Sequence, residues 1–473
     1  MMRRREFLKS AAATGGAARL LHGSAPSRPN FLFLIADDLT FRAIHSLNNR
    51  EVRTPNLDRL SSRGCTFTHA FHQGSWSGAV CIASRTMLNT GLTTFHAHKR
   101  AEETPLWGET LGNAGYDTAI IGKWHLSNAN LKRNFQEIGP VSGGMFESGP
   151  AAYGRPSPGN TWTPWDMSLK GQWLHTNVWQ HAGHDEIKHS ARIWAEGAAD
   201  YLHRKSASGR PFFLYVGFNS PHDPRQAPKD VVDMYPRERI EIPPNYLPEH
   251  PFDQGDSRVR DELLAPFPRT REAVRLHRSE YYAHITYMDA QVGLILDALE
   301  TSGRAAETYV IFTADHGLAV GQHGLMGKQN LYDHSIRMPL MIAGPGIAAG
   351  RRIDRMVYQH SLFPTTCELA GVPVPSSVEF PSLADVVQGA DREKHDAMFS
   401  WYLKYQRAVR NEEFKLIVYP QAGVTQLFNI RKDPWETQNL AERPDHAAIR
   451  KNLLERLHRF QRELDDELGP VSG

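Results

Sequence analysis

The segment Cys81-Ile82-Ala83-Ser84-Arg85 puts a thiol, a hydroxyl and a guanidinium within five residues, at the head of a stretch that closes on Gly91. A lone cysteine followed by Ser and Arg specifies little by itself. Four apolar runs elsewhere end in chemistry-bearing residues. Phe31 to Ala36 ends in Asp37-Asp38, and Ala119 to Ile121 in Gly122-Lys123-Trp124-His125. Phe212 to Phe218 ends in Asn219-Ser220-Pro221-His222, and Tyr309 to Ala314 in Asp315-His316-Gly317. In an open α/β sheet, ligands bind beyond the carboxyl ends of the strands. These side chains are therefore expected to converge at one edge beside Cys81, in a set suited to a doubly charged anion. Asp37, Asp38 and Asp315 are hard oxygen ligands that fit Ca2+, with Mg2+ as the alternative. His316 is a fourth and softer candidate ligand. One Asp pair after a strand is ordinarily a cap, but two acidic strand ends far apart in sequence favour a shared metal. Lys123 and Lys328 are compact cations for anion oxygens, and His222 is the candidate proton donor to a leaving oxygen.

Cys81 is expected to open a helix that ends at Gly91, where free N–H groups and the helix dipole favour an anion. At these residues the chain resembles the type I, formylglycine-dependent sulfatases of the alkaline phosphatase superfamily. Their signature reads Cys-x-Pro-Ser-Arg or, less often, Cys-x-Ala-x-Arg, and this sequence carries the Ala form. Further matching stretches are Thr54-Pro55-Asn56-Leu57-Asp58, Gly122-Lys123-Trp124-His125, Pro221-His222-Asp223-Pro224, and Gly327-Lys328 through Arg337-Met338-Pro339-Leu340. The resemblance runs from Arg28-Pro29-Asn30 to about Asp433-Pro434.

The resemblance implies that a formylglycine-generating or maturase enzyme oxidises Cys81 to formylglycine, whose hydrate attacks sulfur. It implies a metal held by Asp37, Asp38, Asp315, His316 and the modified Cys81. It also implies that Arg85 holds the hydrate, that Lys123, His222 and Lys328 bind the sulfate, and that His125 contacts the hydrate. His125 stands two residues after Lys123, which puts the two on the same side of an extended chain. The function implied is hydrolysis of sulfate esters, on sulfated carbohydrate. The alternatives are a phosphonate monoester or phosphodiester hydrolase of the same superfamily, and a non-catalytic carbohydrate-binding protein with unmodified Cys81.

The elements that must position these residues read as an α/β fold. Strand-like runs alternate with helical patterns, which indicates a large mixed, mostly parallel sheet flanked by helices. Ser279 to Gly303 is the clearest helix, with Ile285, Met288, Val292, Ile295 and Leu299 at spacings of three and four. A boundary is expected near residues 375–395. It divides a catalytic domain (28–380) from a C-terminal α+β subdomain (381–473). That subdomain holds short strands at Ala408 to Arg410, Lys415 to Tyr419 and Gln426 to Asn429, then a helix from about Pro444 to Leu468.

The 473 residues carry 54 basic and 52 acidic side chains. That near balance argues against a nucleic-acid binder steered by a broad basic field. No run of 18 apolar residues is present, so no membrane span is expected. Residues 1–25, with Arg4-Arg5-Glu6-Phe7-Leu8-Lys9 and then an Ala/Gly-rich stretch, read as a twin-arginine signal peptide. That predicts a periplasmic or extracellular location. The three cysteines cannot form a disulfide framework. Cys65 and Cys367 read as core residues, with a single bridge between them as the alternative. Residues 139–185 read as a long insertion in which Trp162, Trp165, Trp173 and Trp179 could stack on sugar rings. His96, His98, Lys99 and Arg100 could grip a carbohydrate or form a solvated turn.

Overall fold

The computed structural model describes residues 28–144, 178–179, 188–225, 227–390 and 395–472. The strands, in chain order, are β1 Asn30–Ala36, β2 Cys65–Phe71, β3 Gly74–Ser75, β4 Asp117–Lys123, β5 Glu137–Ser142, the short pair β6 Val178–Trp179 and β7 Lys188–His189, then β8 Phe212–Gly217 and β9 Thr308–Ala314. They continue with β10 Arg337–Ala343, β11 Arg351–Tyr358, β12 Met398–Tyr402, β13 Gln406–Arg410, β14 Phe414–Tyr419 and β15 Val424–Asn429. Eight of them form one sheet in the order β11-β2-β10-β9-β1-β8-β4-β5. Only β10 runs antiparallel to its neighbours.

The apolar runs are strands because both faces of the sheet are covered, as parallel sheets require. Every residue of β1, β8 and β9 is buried. The indole of Trp107 packs on Phe33 and Phe213. The helices Ser190–Lys205 and Arg271–Thr301 pack on each other, and the first of them also packs on β4 and β8. The register aligns Ala36 with Ala314, Ile35 with Gly217, and Gly122 with Gly217. The residues that follow β1, β4, β8 and β9 therefore leave the sheet at one edge. Gly122 and Gly217 make that edge tight. A Cβ on Gly122, where φ is +89°, would lie 2.0 Å from the Gly217 carbonyl oxygen, and one on Gly217 would lie 2.2 Å from that of Lys123.

The second sheet has the order β15-β14-β13-β12-β3. The helix Ala447–Glu463 packs against it and buries Leu453 and Leu457. Two features differ from the sequence expectation. β12 was not anticipated, and β3, from the N-terminal half, closes the sheet edge by parallel pairing with β12. The long helix begins at Arg271, capped by the Thr270 hydroxyl, eight residues before the expected start at Ser279. Cys65, Cys81 and Cys367 are all buried free thiols, so the Cys65–Cys367 bridge is not formed. Among the described residues no helix is long and apolar enough to cross a membrane. Residues 1–25 and Trp162, Trp165 and Trp173 lie outside the described residues, and Trp179 falls in β6.

Candidate active site

Asp37 and Asp38 follow β1, and Asp315 and His316 follow β9. All four are fully buried. Asp38 takes a left-handed backbone conformation (φ 67°). The imidazole of His316 fixes the geometry. Its Nδ1 donates to the Gly317 carbonyl at 3.0 Å, so the lone pair sits on Nε2. That atom lies 3.3 Å from Asp38 Oδ1, 3.5 Å from Asp315 Oδ1 and 3.9 Å from Asp37 Oδ1. Lys123 pairs with Asp37 through Oδ2, and Lys328 with Asp38 through Oδ1 at 2.8 Å. Asp37 Oδ1, Asp38 Oδ2 and His316 Nε2 are buried with no hydrogen-bond partner. Buried polar atoms are rarely left this way. Three carboxylates and one oriented imidazole with free acceptor atoms fit a hard divalent cation. Potential metal-holding groups are Asp37, Cys81, Asp315 and His316, and Asp37, Asp38 and His222, with ligand atoms within 4.8 Å of one another.

Cys81 lies in the first turn of the helix Val80–Thr90, whose end is capped by Gly91 in the left-handed conformation. Its Sγ is 3.2 Å from His125 Nδ1. The extended chain expected between Lys123 and His125 is not what the structure shows. β4 ends at Lys123, and His125 has φ 66°, so a backbone turn rather than an extended chain brings its ring to the thiol. Burial, and then Lys123, push His125 down to about 3.

Arg85 is fully buried and mainly ties the strand ends together. Its Nε donates to Asp315 Oδ2 at 2.9 Å and its Nη1 to the Lys123 carbonyl at 3.0 Å. Nη2 has no partner, so one end of the fork remains available to a ligand. Burial raises the Asp315 carboxyl, yet His316, Arg85 and Lys123 together hold it well below the ordinary range. Asp38 goes the other way. Burial lifts it well above the ordinary value, and Lys328 only partly offsets that.

His222 Nδ1 donates to the Asp223 carbonyl at 2.7 Å, which leaves Nε2 facing Asp38 Oδ2 at 3.9 Å. Burial, and then Lys328, hold His222 well below its ordinary value. Lys328 is held well above its own, because Asp38 and Asp261 outweigh burial. Asp37, Asp38, Lys123, His222, Asp315, His316, Lys328 and Arg85 thus form one buried cluster with Cys81 and His125.

Sequence reading missed the supports of this cluster. Asp261 lies 3.9 Å from Lys328 Nζ and accepts from Gln329 Nε2 at 2.9 Å. Glu262 accepts from the Met326 and Gly327 amides at 2.9 and 2.8 Å, which pins the turn before Lys328. Gln359 Nε2 donates to Ser84 Oγ at 2.7 Å and to the Asp315 carbonyl at 3.0 Å. No local pattern marks these residues.

The group at 96–100 is engaged elsewhere. His96 lies 2.6 Å from Glu379 and 3.0 Å from Asp465. Arg100 also pairs with Glu379, and Lys99 with Glu467. Trp76 stacks on His98. These residues tie the segment after the helix Val80–Thr90 to Glu379 and to the C-terminal end of the chain.

Fold and site together define a hydrolase of anionic esters, and comparison with known proteins gives the class. The chain belongs to the sulfatase family, whose family model matches residues 29–372. The C-terminal model of N-sulphoglucosamine sulphohydrolase matches residues 321–463. The protein is a sulfuric ester hydrolase. Iduronate 2-sulfatase of Mus musculus is 30% identical over 431 residues, covering 79% of this chain and 74% of its own. A protein solved with its substrate D-glucosamine-2-N,6-O-disulfate superposes with a TM-score of 0.71 at 21% identity, covering 93% of this chain and 98% of that one. A phosphonate monoester hydrolase from Silicibacter pomeroyi superposes with a TM-score of 0.75 at 21% identity, covering 92% and 96%.

Proposed function

We propose that this sulfatase hydrolyses sulfate esters of carbohydrates at residue 81, after Cys81 has been converted to formylglycine by a maturase. The observation that carries the reading is the meeting of three carboxylates, an oriented imidazole and two lysines around one thiol at a helix N-terminus. Asp37, Asp38, Asp315 and His316, with residue 81, would hold Ca2+ or Mg2+, which would polarise a sulfate oxygen and offset the carboxylates. Formylglycine would supply a hydrated aldehyde as nucleophile in place of a thiolate.

The chain's own residues do the rest. Lys123 and Lys328 present positive charge to the equatorial sulfate oxygens. Arg85, through Nη2, and His125, beside Cys81, orient the side chain at position 81. His222 gives a proton to the leaving oxygen. Its Nδ1 is fixed on the Asp223 carbonyl, so Nε2 is the atom that carries the transferred proton. Lys328 beside it stays charged.

Carbohydrate is the favoured substrate because an iduronate sulfatase is among the relatives and a sulfated glucosamine is bound in a structural neighbour. Residues 1–25 are read as a twin-arginine signal, which would place the enzyme in the periplasm or outside the cell. The division into a catalytic part (28–380) and a C-terminal subdomain (381–473) belongs to the same reading.

The test is a panel of sulfated mono- and oligosaccharides run beside phosphonate monoesters. A sulfated sugar should give the highest kcat/KM. Efficient cleavage of phosphonates with no turnover of any sulfated glycan would favour the phosphonate monoester hydrolase reading, to which the fold is equally close.

A further inference from the structure

Between the large and small sheets lies a second cavity, of about 840 Å3. None of the residues gathered around Cys81 lines it. Its wall carries seven arginines and no lysine, against five carboxylates. The charges at its wall and directly behind it do not balance. Asp333 meets Arg337 Nη1 at 3.4 Å, Arg410 Nη1 at 2.8 Å and Lys415 Nζ at 2.9 Å. Lys415 also reaches Glu436 at 2.5 Å. Arg42 adds a fourth cation. It donates to the Pro434 carbonyl and stacks 4.1 Å from the Trp435 ring. Among the described residues it has no carboxylate partner. Three cations therefore share the carboxylates of Asp333 and Glu436, and Arg42 stands beside them unpaired.

Buried charge is costly unless it is paired, and an excess of two positive charges calls for a dianion. The strain shows on the neighbours. Burial lowers Arg337 to about 9 against the pull of Asp333, with Arg410 and Arg42 adding to the fall. Burial, and then Arg337 and Arg410, push His69 to about 3. Arg410 Nε is buried with no partner. Two more arginines, Arg50 and Arg352, are exposed at the cavity wall, and among the described residues neither has a carboxylate partner.

We propose that this cavity is a second anion site, separate from the catalytic one, for a small ligand carrying two oxyanion charges. Such a ligand is inorganic sulfate or the sulfo groups of a sugar. Arginine's planar fork matches tetrahedral oxyanions two bonds at a time, which a lysine cannot do. Pro243, Pro244 and Trp435 supply an apolar wall, and the volume lies in the range of small-molecule sites. The inference does not depend on the chemistry at Cys81.

Calorimetric titration of the full-length Cys81→Ala protein tests it, with sodium sulfate and with D-glucosamine-2-N,6-O-disulfate as probes. Two binding events are expected for at least one probe. Lys123→Ala should remove the catalytic event and leave the other. Arg42→Gln should weaken only the other, by roughly ten- to a hundredfold. Arg352→Gln, at an exposed position whose hydrogen bond is to the Ser46 carbonyl, should weaken the same event severalfold with an unchanged melting temperature. A second event with sodium sulfate makes the free oxyanion the ligand, and one seen only with the disulfated sugar makes it the glycan. A single event abolished by Lys123→Ala and indifferent to both arginine changes, or no binding of either probe, overturns the proposal. Failure of the sulfatase reaction itself would leave the second event in place.

Discussion

His316 Nε2 points at Asp38 Oδ1 across 3.3 Å while Nδ1 is tied to the Gly317 carbonyl. The hydrogen bond behind the ring selects the tautomer, and the lone pair is thereby aimed among three carboxylates. Asp37→Ala, Asp38→Ala and Asp315→Ala are each expected to lower bound divalent metal and activity together. Metal content per chain, measured by elemental analysis, is the primary readout. His316→Asn substitutes an oxygen ligand and should retain much of the metal, with preference shifted toward Ca2+. Full activity in protein stripped of metal would refute the assignment.

His222 has one nitrogen fixed on the Asp223 carbonyl and the other free toward Asp38. A proton donor is typically worth about 10²–10⁴-fold, and mostly for poor leaving groups. His222→Ala should therefore reduce kcat on a sulfated sugar far more than on nitrophenyl sulfate, whose leaving group needs little help. Equal losses on the two substrates would reduce His222 to a sulfate-binding role.

Asp333 joins the two sheets, meeting Arg337 of β10, Arg410 of β13 and Lys415 of β14. Burial raises its carboxyl, but Arg410 and Lys415 overcome that and hold it well below the ordinary value. A depressed carboxyl contributes stability that is complete above the unfolded value of about 3.9 and is lost as pH falls through the folded one. Asp333→Asn leaves buried cations uncompensated and should cost about 3–5 kcal/mol at pH 7. The gap between wild type and variant should narrow below about pH 4. Denaturant midpoints at the two pH values measure it, and a gap that stays constant would contradict the account.

The edge that gathers Asp37, Lys123, His222 and Asp315 was legible because buried parallel strands are written as continuous apolar runs, and the residues that end them stand out against that background. Gly91 marked the end of the helix Val80–Thr90 for a similar reason, since its left-handed backbone suits glycine. What stayed hidden was set by distance along the chain. Asp261 supports Lys328 from a proline-rich stretch with no periodicity. β3 pairs with β12 across more than 300 residues of sequence, and no pattern in two residues, Gly74 and Ser75, announces that. The first turns of the helix Arg271–Thr301 carry Arg271, Arg275 and Arg278, which mask the buried Ala273, Val274 and Leu276. His96, Lys99 and Arg100 show the opposite limit, since a glycan grip and a solvated turn read alike in the sequence. Their partners in the structure are carboxylates of the same chain.

The central claim is that residue 81 acts as formylglycine. Intact-mass analysis of the peptide carrying Cys81, from preparations made with and without a maturase, tests it most directly when each is paired with its turnover rate. Activity should rise in proportion to the fraction of Cys81 converted, and Cys81→Ala and Cys81→Ser should be inactive while folded. Full activity in a preparation whose Cys81 is an intact thiol would contradict the account.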